Sequence, residues 1–106
     1  MDDTRIATGT VTTTSVSQAV IAEFPVSGFT GVEFLLKGKN GTKYSVATVQ
    51  AVTDGTNVDY AIFATLNLIG VCYTDLSVAV SGGNIQLLVT PASSGSTVWN
   101  TNYRLV

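Results

Sequence analysis

At 106 residues the chain is long enough for one domain around a single modest core, and too short for two. Only 11% of it is charged, under half the usual ~25%, and 16 Thr and 9 Ser stand where a charged surface would be. The net charge is −2; Arg5, Lys37, Lys39, Lys43 and Arg104 are scattered, apart from the three Lys around one turn, which excludes a phosphate-backbone partner.

In chain order, the N-terminal MDDTRIATG is acidic and lacks the apolar h-region of a signal peptide. The Thr-rich TGTVTTTSVS that follows makes residues 1–16 an edge strand or an extended arm. From there, period-two alternation dominates and no long 3.6-residue period appears. Val20, Ala22 and Phe24 share one parity, then Val32, Phe34 and Leu36, then Tyr44, Val46 and Val52. Val58, Tyr60, Ile62, Ala64 and Leu66 follow, then Leu76, Val78 and Val80, then Ile85, Leu87 and Val89, and last Trp99, Tyr103 and Leu105. Turn signals separate these runs at Pro25–Gly28, Lys39–Gly41, Asp54–Gly55, Ser81–Asn84 and Pro91–Ser96. LNLIG is the one place for a short helical turn. About eight short strands with turns between them predict an all-β fold: a single antiparallel β-sandwich, jelly-roll-like, over residues 1–106. Its longest apolar runs are four or five residues, well short of the ~20 that span a bilayer as a helix, so no membrane partner is expected.

The stretch TVQAVTDGTNVDYAIFATL reads as a hairpin. With even-numbered residues apolar on both arms, facing positions must sum to an even number. That selects a three-residue Thr53-Asp54-Gly55 loop pairing Val52 with Thr56 and Thr48 with Tyr60. Asp54 is then turn chemistry, and Gly55 takes the left-handed position.

Few groups remain for chemistry. The absence of His removes Ser-His-Asp and Cys-His catalysis and the usual zinc sites. Cys72, the single cysteine, cannot form an internal disulfide and reads as a small buried hydrophobe. Asn40-Gly41-Thr42 matches a glycosylation sequon but reads as a hairpin turn. The carboxylates are Asp2, Asp3, Glu23, Glu33, Asp54, Asp59 and Asp75. A glycosidase needs two across a cleft; Asp59, on the polar parity, is a solvated strand-face residue, and Asp54, Asn57 and Asp59 lack the spacing of a calcium loop. No enzyme, cofactor or metal site is predicted. The aromatics read as core, with one exception. Phe63 falls on the odd face with Asp59, Ala61 and Thr65, and Leu35 and Leu88 likewise sit opposite the main apolar parity. A subunit buried on both faces would place them so, which makes Leu35, Phe63 and Leu88 the candidate interface residues.

The order of the motifs is similar to a family. TVTTTSVSQAVIAEFPVSGFTGVEFLLKG, then YSVATVQAVTDGTNVDYAIFATL, then DLSVAVSGGNIQLLVTPASSGSTVWNTNYRLV together resemble a small β-sandwich domain recurring in structural proteins of tailed bacteriophages, notably of cyanobacteria and marine bacteria. The elements that carry it are Asp54-Gly55-Thr56 with Tyr60, Ser81–Asn84, Leu87–Pro91 and Val98–Leu105, across roughly residues 10–106. Many members have His before the DGT turn, where this chain has Thr53. The resemblance implies a non-enzymatic virion structural protein, assembled in the host cytoplasm. Its implied partners are copies of itself, as a trimer, and another virion protein such as the major capsid protein. A stand-alone chain of this size fits a capsid decoration or cement protein; the alternatives are a tail, neck or fibre-associated component and, further off, a carbohydrate-binding sandwich using Trp99 and Tyr103.

Overall fold

Alternating short strands have to bury one face of each against a second layer, and the chain does so as two stacked antiparallel sheets. The computed structural model describes residues 6–26 and 28–105. Asp2, Asp3, Arg5 and the start of the expected arm lie outside the described residues, as does Ser27 in the expected Pro25–Gly28 turn. The eight strands are β1 (Ile6–Thr13), β2 (Ala19–Pro25), β3 (Thr30–Asn40), β4 (Lys43–Thr53), β5 (Val58–Leu68), β6 (Tyr73–Ser81), β7 (Asn84–Pro91) and β8 (Thr97–Leu105). One sheet has the order β1-β8-β3-β4-β5 and the other β2-β7-β6. The β1–β8 and β2–β7 pairs wrap the chain ends as in a jelly roll. The β3–β4–β5 meander then stays in one sheet, so the layers hold five and three strands. Unequal layers leave part of the large sheet uncovered, and β5 is its edge.

The core follows the sequence pattern on β3 and β7. Val32, Phe34 and Leu36 of β3 and Ile85, Leu87 and Val89 of β7 are buried in strict alternation. Phe24 stacks on Tyr103 with ring centroids 4.3 Å apart, and Phe34 lies 6.1 Å from both rings. Trp99 is fully buried on β8. Its indole N–H donates to Thr13 Oγ1 at 2.9 Å, fastening the edge strand β1 to the core. Gly38 lies opposite Trp99 on β3, where a Cβ would come within 2.6 Å of the indole ring. Cys72 is buried, as expected, beside that indole, and its thiol donates toward the carbonyls of Gly38 and Lys43.

Four expectations change. On β4 the buried residues are Ser45, Ala47, Val49, Ala51 and Thr53, so Tyr44 and Val52 face outward. The reason is volume: the register sets Ala47 beside Leu36, Ala51 beside Val32 and Val49 beside Phe34, and bulky neighbours leave room for small partners. On β2 a bulge between Val20 and Ala22 turns Ile21 inward and Val20 outward. On β5, Tyr60, Ile62, Ala64 and Leu66 are exposed: β5 is an edge of the larger sheet, and past a register shift Leu66 turns outward. Finally, LNLIG forms no helical turn: its first residues continue β5, and Ile69–Gly70 is a bend.

Candidate functional site

The β4–β5 hairpin begins at a turn different from the one expected. Thr53 pairs with Val58, so the loop has four residues, Asp54 to Asn57. The even-sum rule fails because β4 buries its odd-numbered side, and the facing sums next to the turn become odd. The local chemistry is nevertheless that of a turn. Asp54 Oδ1 accepts from the backbone N–H of Asn57 (2.7 Å) and Thr56 (2.9 Å), and Oδ2 accepts from the Asn57 amide (3.1 Å). Thr53, buried, donates its hydroxyl to Asn57 O at 2.6 Å and accepts from Gly55 N–H at 3.0 Å. Gly55 has φ +97°, a conformation that side chains resist. The hydrogen bonds from the Asn57 and Thr56 N–H groups, then from the Asn57 amide, hold the Asp54 carboxyl down to about 2, from an ordinary 3.8. A carboxylate committed to three donors is a turn brace, not a base. Asp59 is exposed and accepts from the backbone N–H of Tyr60. Glu23 lies on β2 in the other sheet, where the side-chain amides of Gln86 and then Asn84 hold its carboxyl below the usual range. Among the described residues, no three His, Cys, Asp or Glu side chains converge to hold a metal ion.

What the hairpin presents instead is apolar surface. Among the described residues, β5 pairs only with β4. Its register shifts between Ala47 and Val49, leaving Phe63 and Ala64 together against Thr48. This bulge exchanges the faces. Before it, Tyr60 and Ile62 share the inward side with their partners Ala51 and Val49; after it, Thr65 and Asn67 do, while Leu66 and Leu68 turn outward with Val46 and Tyr44. Phe63 is 47% exposed and lines a shallow depression of about 260 Å³ with Gln50, Val52, Asp59 and Ala61. Leu66 is 69% exposed. The bend beyond the strand carries Ile69, at φ +72° the only non-glycine residue of positive φ among the described residues, and 73% exposed. For a β-branched residue this backbone costs about 1–2 kcal/mol.

The three interface candidates do not form one patch. Leu35 pairs with Thr48, so it lies on the same outward face as Phe63, two strands further in, with β4 between them. Leu88, half-buried, pairs with Val20 and Ser77 on the outer face of the three-stranded sheet, across the sandwich. Sequence reasoning missed Leu66, Leu68 and Ile69. One signal could have found them: from Tyr60 to Thr74 the chain has no charged residue, and its apolar side chains there do not alternate. The sugar platform is also corrected. Trp99 is buried and Tyr103 is stacked in the core, so neither offers a face to a ring; the exposed aromatics are Phe29, Tyr44, Tyr60 and Phe63.

These features define an eight-stranded antiparallel sandwich whose distinguishing surface is an apolar sheet edge. No protein-family model matches the chain, and no curated protein matches it. Among solved structures, the tailspike protein of Acinetobacter phage vB_ApiP_P1 superposes with a TM-score of 0.47 at 10% identity, over 97% of this chain. The chain spans about a fifth of that protein's length (21%).

Proposed function

We propose that the chain is a non-enzymatic structural protein of a tailed-bacteriophage virion, held in place by surface contacts. The observation that carries the structural role is the exposed apolar β5 edge, uncharged from Tyr60 to Leu68, where a solvated monomer would be expected to place Lys, Pro or Glu. Its carboxylates support that role: Asp54 braces a turn, and Asp59 stands on an exposed strand face. The bacteriophage setting rests on the order of the DGT, SGGN and TP elements along the chain. Among virion roles we favour decoration or cement of the head, in contact with copies of itself and with a protein such as the major capsid protein. That role asks only for low-charge contact area, which this surface supplies. Quantitative mass spectrometry of purified particles tests it. Hundreds of copies per particle are expected; a few to dozens would move the protein to the tail or neck, and its absence would overturn the virion reading.

A further inference from the structure

We infer that β5 pairs antiparallel with β5 of a second copy about a two-fold axis, joining two five-stranded sheets into one of ten strands. The contact is the self-association half of the assembly reading above, but its argument rests on the edge alone.

Three observations point to a second copy rather than to an unrelated occupant. The first is composition. Edge strands of solvated sheets carry charge or Pro. In the small sheet, the edge strand β2 carries Glu23 and Pro25, and the edge strand β6, whose one charge is Asp75, leaves none of its apolar side chains exposed. β5 does neither: it has one charge, Asp59, and no Pro, and every residue from Tyr60 to Leu68 is exposed. The second is exposed apolar surface. Tyr60, Ile62, Phe63, Leu66, Leu68 and Ile69, each 39–73% exposed, run along this single edge, the kind of contiguous apolar surface that marks a protein contact.

The third is symmetry. An axis at the Phe63–Ala64 bulge sets Ile62 opposite the position of Thr65 and Ala61 opposite that of Leu66. Because the bulge exchanges faces, each of these pairs lies on one side of the joined sheet. The same axis sets Asp59 opposite the position of Leu68, so the two like charges stand nine residues apart, about 30 Å along the strand. Phe63 meets its own symmetry mate at the axis. Ile69 lies just past the strand end, where the second copy would cover a side chain that the monomer holds out in a strained conformation. A trimer would instead set β5 against another edge, and the far edge of the same sheet is the Thr-rich β1. Apolar against Thr is the poorer match.

Sedimentation velocity over a wide concentration range, with amide hydrogen exchange, tests this on the full chain. A reversible dimer is expected, with the β5 amides protected in it. Leu66→Lys, at a side chain already exposed in the monomer, should weaken the dimer ~100-fold or more, since the two-fold counts each substitution twice. Ile69→Gly should weaken it ~10-fold while the unfolding midpoint of the monomer holds or rises, which separates lost contact from lost folding. Thr12→Lys on β1 should leave it unchanged. A monomer at all concentrations, a trimer, unprotected β5 amides in the dimer, or weakening by Thr12→Lys would each overturn the inference. A monomer would leave attachment to particles standing, and absence from particles would leave the dimer standing.

Discussion

Replacing Gly38 by Ala tests the tightest contact in the core. The added Cβ would stand 2.6 Å from Trp99 Cζ3 and 2.8 Å from Cε3, with Cys72 Cβ at 3.4 Å on another side. One of these must move, and the indole has little freedom: it is fully buried, and its N–H is tied to Thr13 at 2.9 Å. Overpacking of this kind costs about 1–3 kcal/mol. Gly38 is not among the glycines of positive φ, so Ala also gains about 0.4–1 kcal/mol by restricting the unfolded chain. The net expectation is a loss of about 1–2 kcal/mol, because a contact under 3 Å against a pinned ring outweighs the entropy gain. Trp99 is the only tryptophan, so urea unfolding followed by its fluorescence reports on the altered site itself. The midpoint should fall by about 0.5–1.5 M. Gly38→Ala with Trp99→Phe, followed by circular dichroism, should lose at least ~1 kcal/mol less than the sum of the single changes. A midpoint equal to or above the parent's, or simple additivity in the double variant, would refute the contact.

Thr13→Val removes the acceptor of the buried indole N–H and should cost about 1–2 kcal/mol, with faster exchange of the β1 amides; Thr13→Ser should restore both. The Asp54 carboxyl is held below its unfolded value. Its stabilisation is therefore complete well above pH 3.8, begins to fade as pH approaches that value, and is lost as pH falls through about 2. The gap in unfolding midpoint between the parent and Asp54→Asn should accordingly close between pH 5 and pH 2, and a gap that is constant with pH would contradict the turn geometry. The Cys72 thiol, buried against two carbonyls, should react with a disulfide reagent only as the chain unfolds, so rapid labelling in native buffer would count against its burial.

Strand periodicity is enough to read the fold class and the inward side of β3 and β7, because on both the large apolar residues alternate strictly and fill the core. It misread β4, whose inward positions include Ala, Ser and Thr, chosen for size against Phe34 and Leu36 rather than for hydrophobicity. That one inversion changed the facing sums and turned a four-residue loop into an expected three-residue one. β5 failed for another reason. A strand with apolar residues on both faces is the pattern of an interior strand. Periodicity cannot say where a strand lies across a sheet, and here the order β1-β8-β3-β4-β5 gives β5 a single neighbour. The side chains that the pattern assigned to the core are the ones the fold leaves in solvent. Phe63 stands out by its parity alone, yet Leu66, which parity assigns to the core, and Leu68 and Ile69, which it passes over, are more exposed. The mismatch between what β5 contains and where it sits is therefore the most specific evidence in the molecule: an interior strand placed at an edge lacks one neighbour, and a second β5 is a neighbour of matching chemistry.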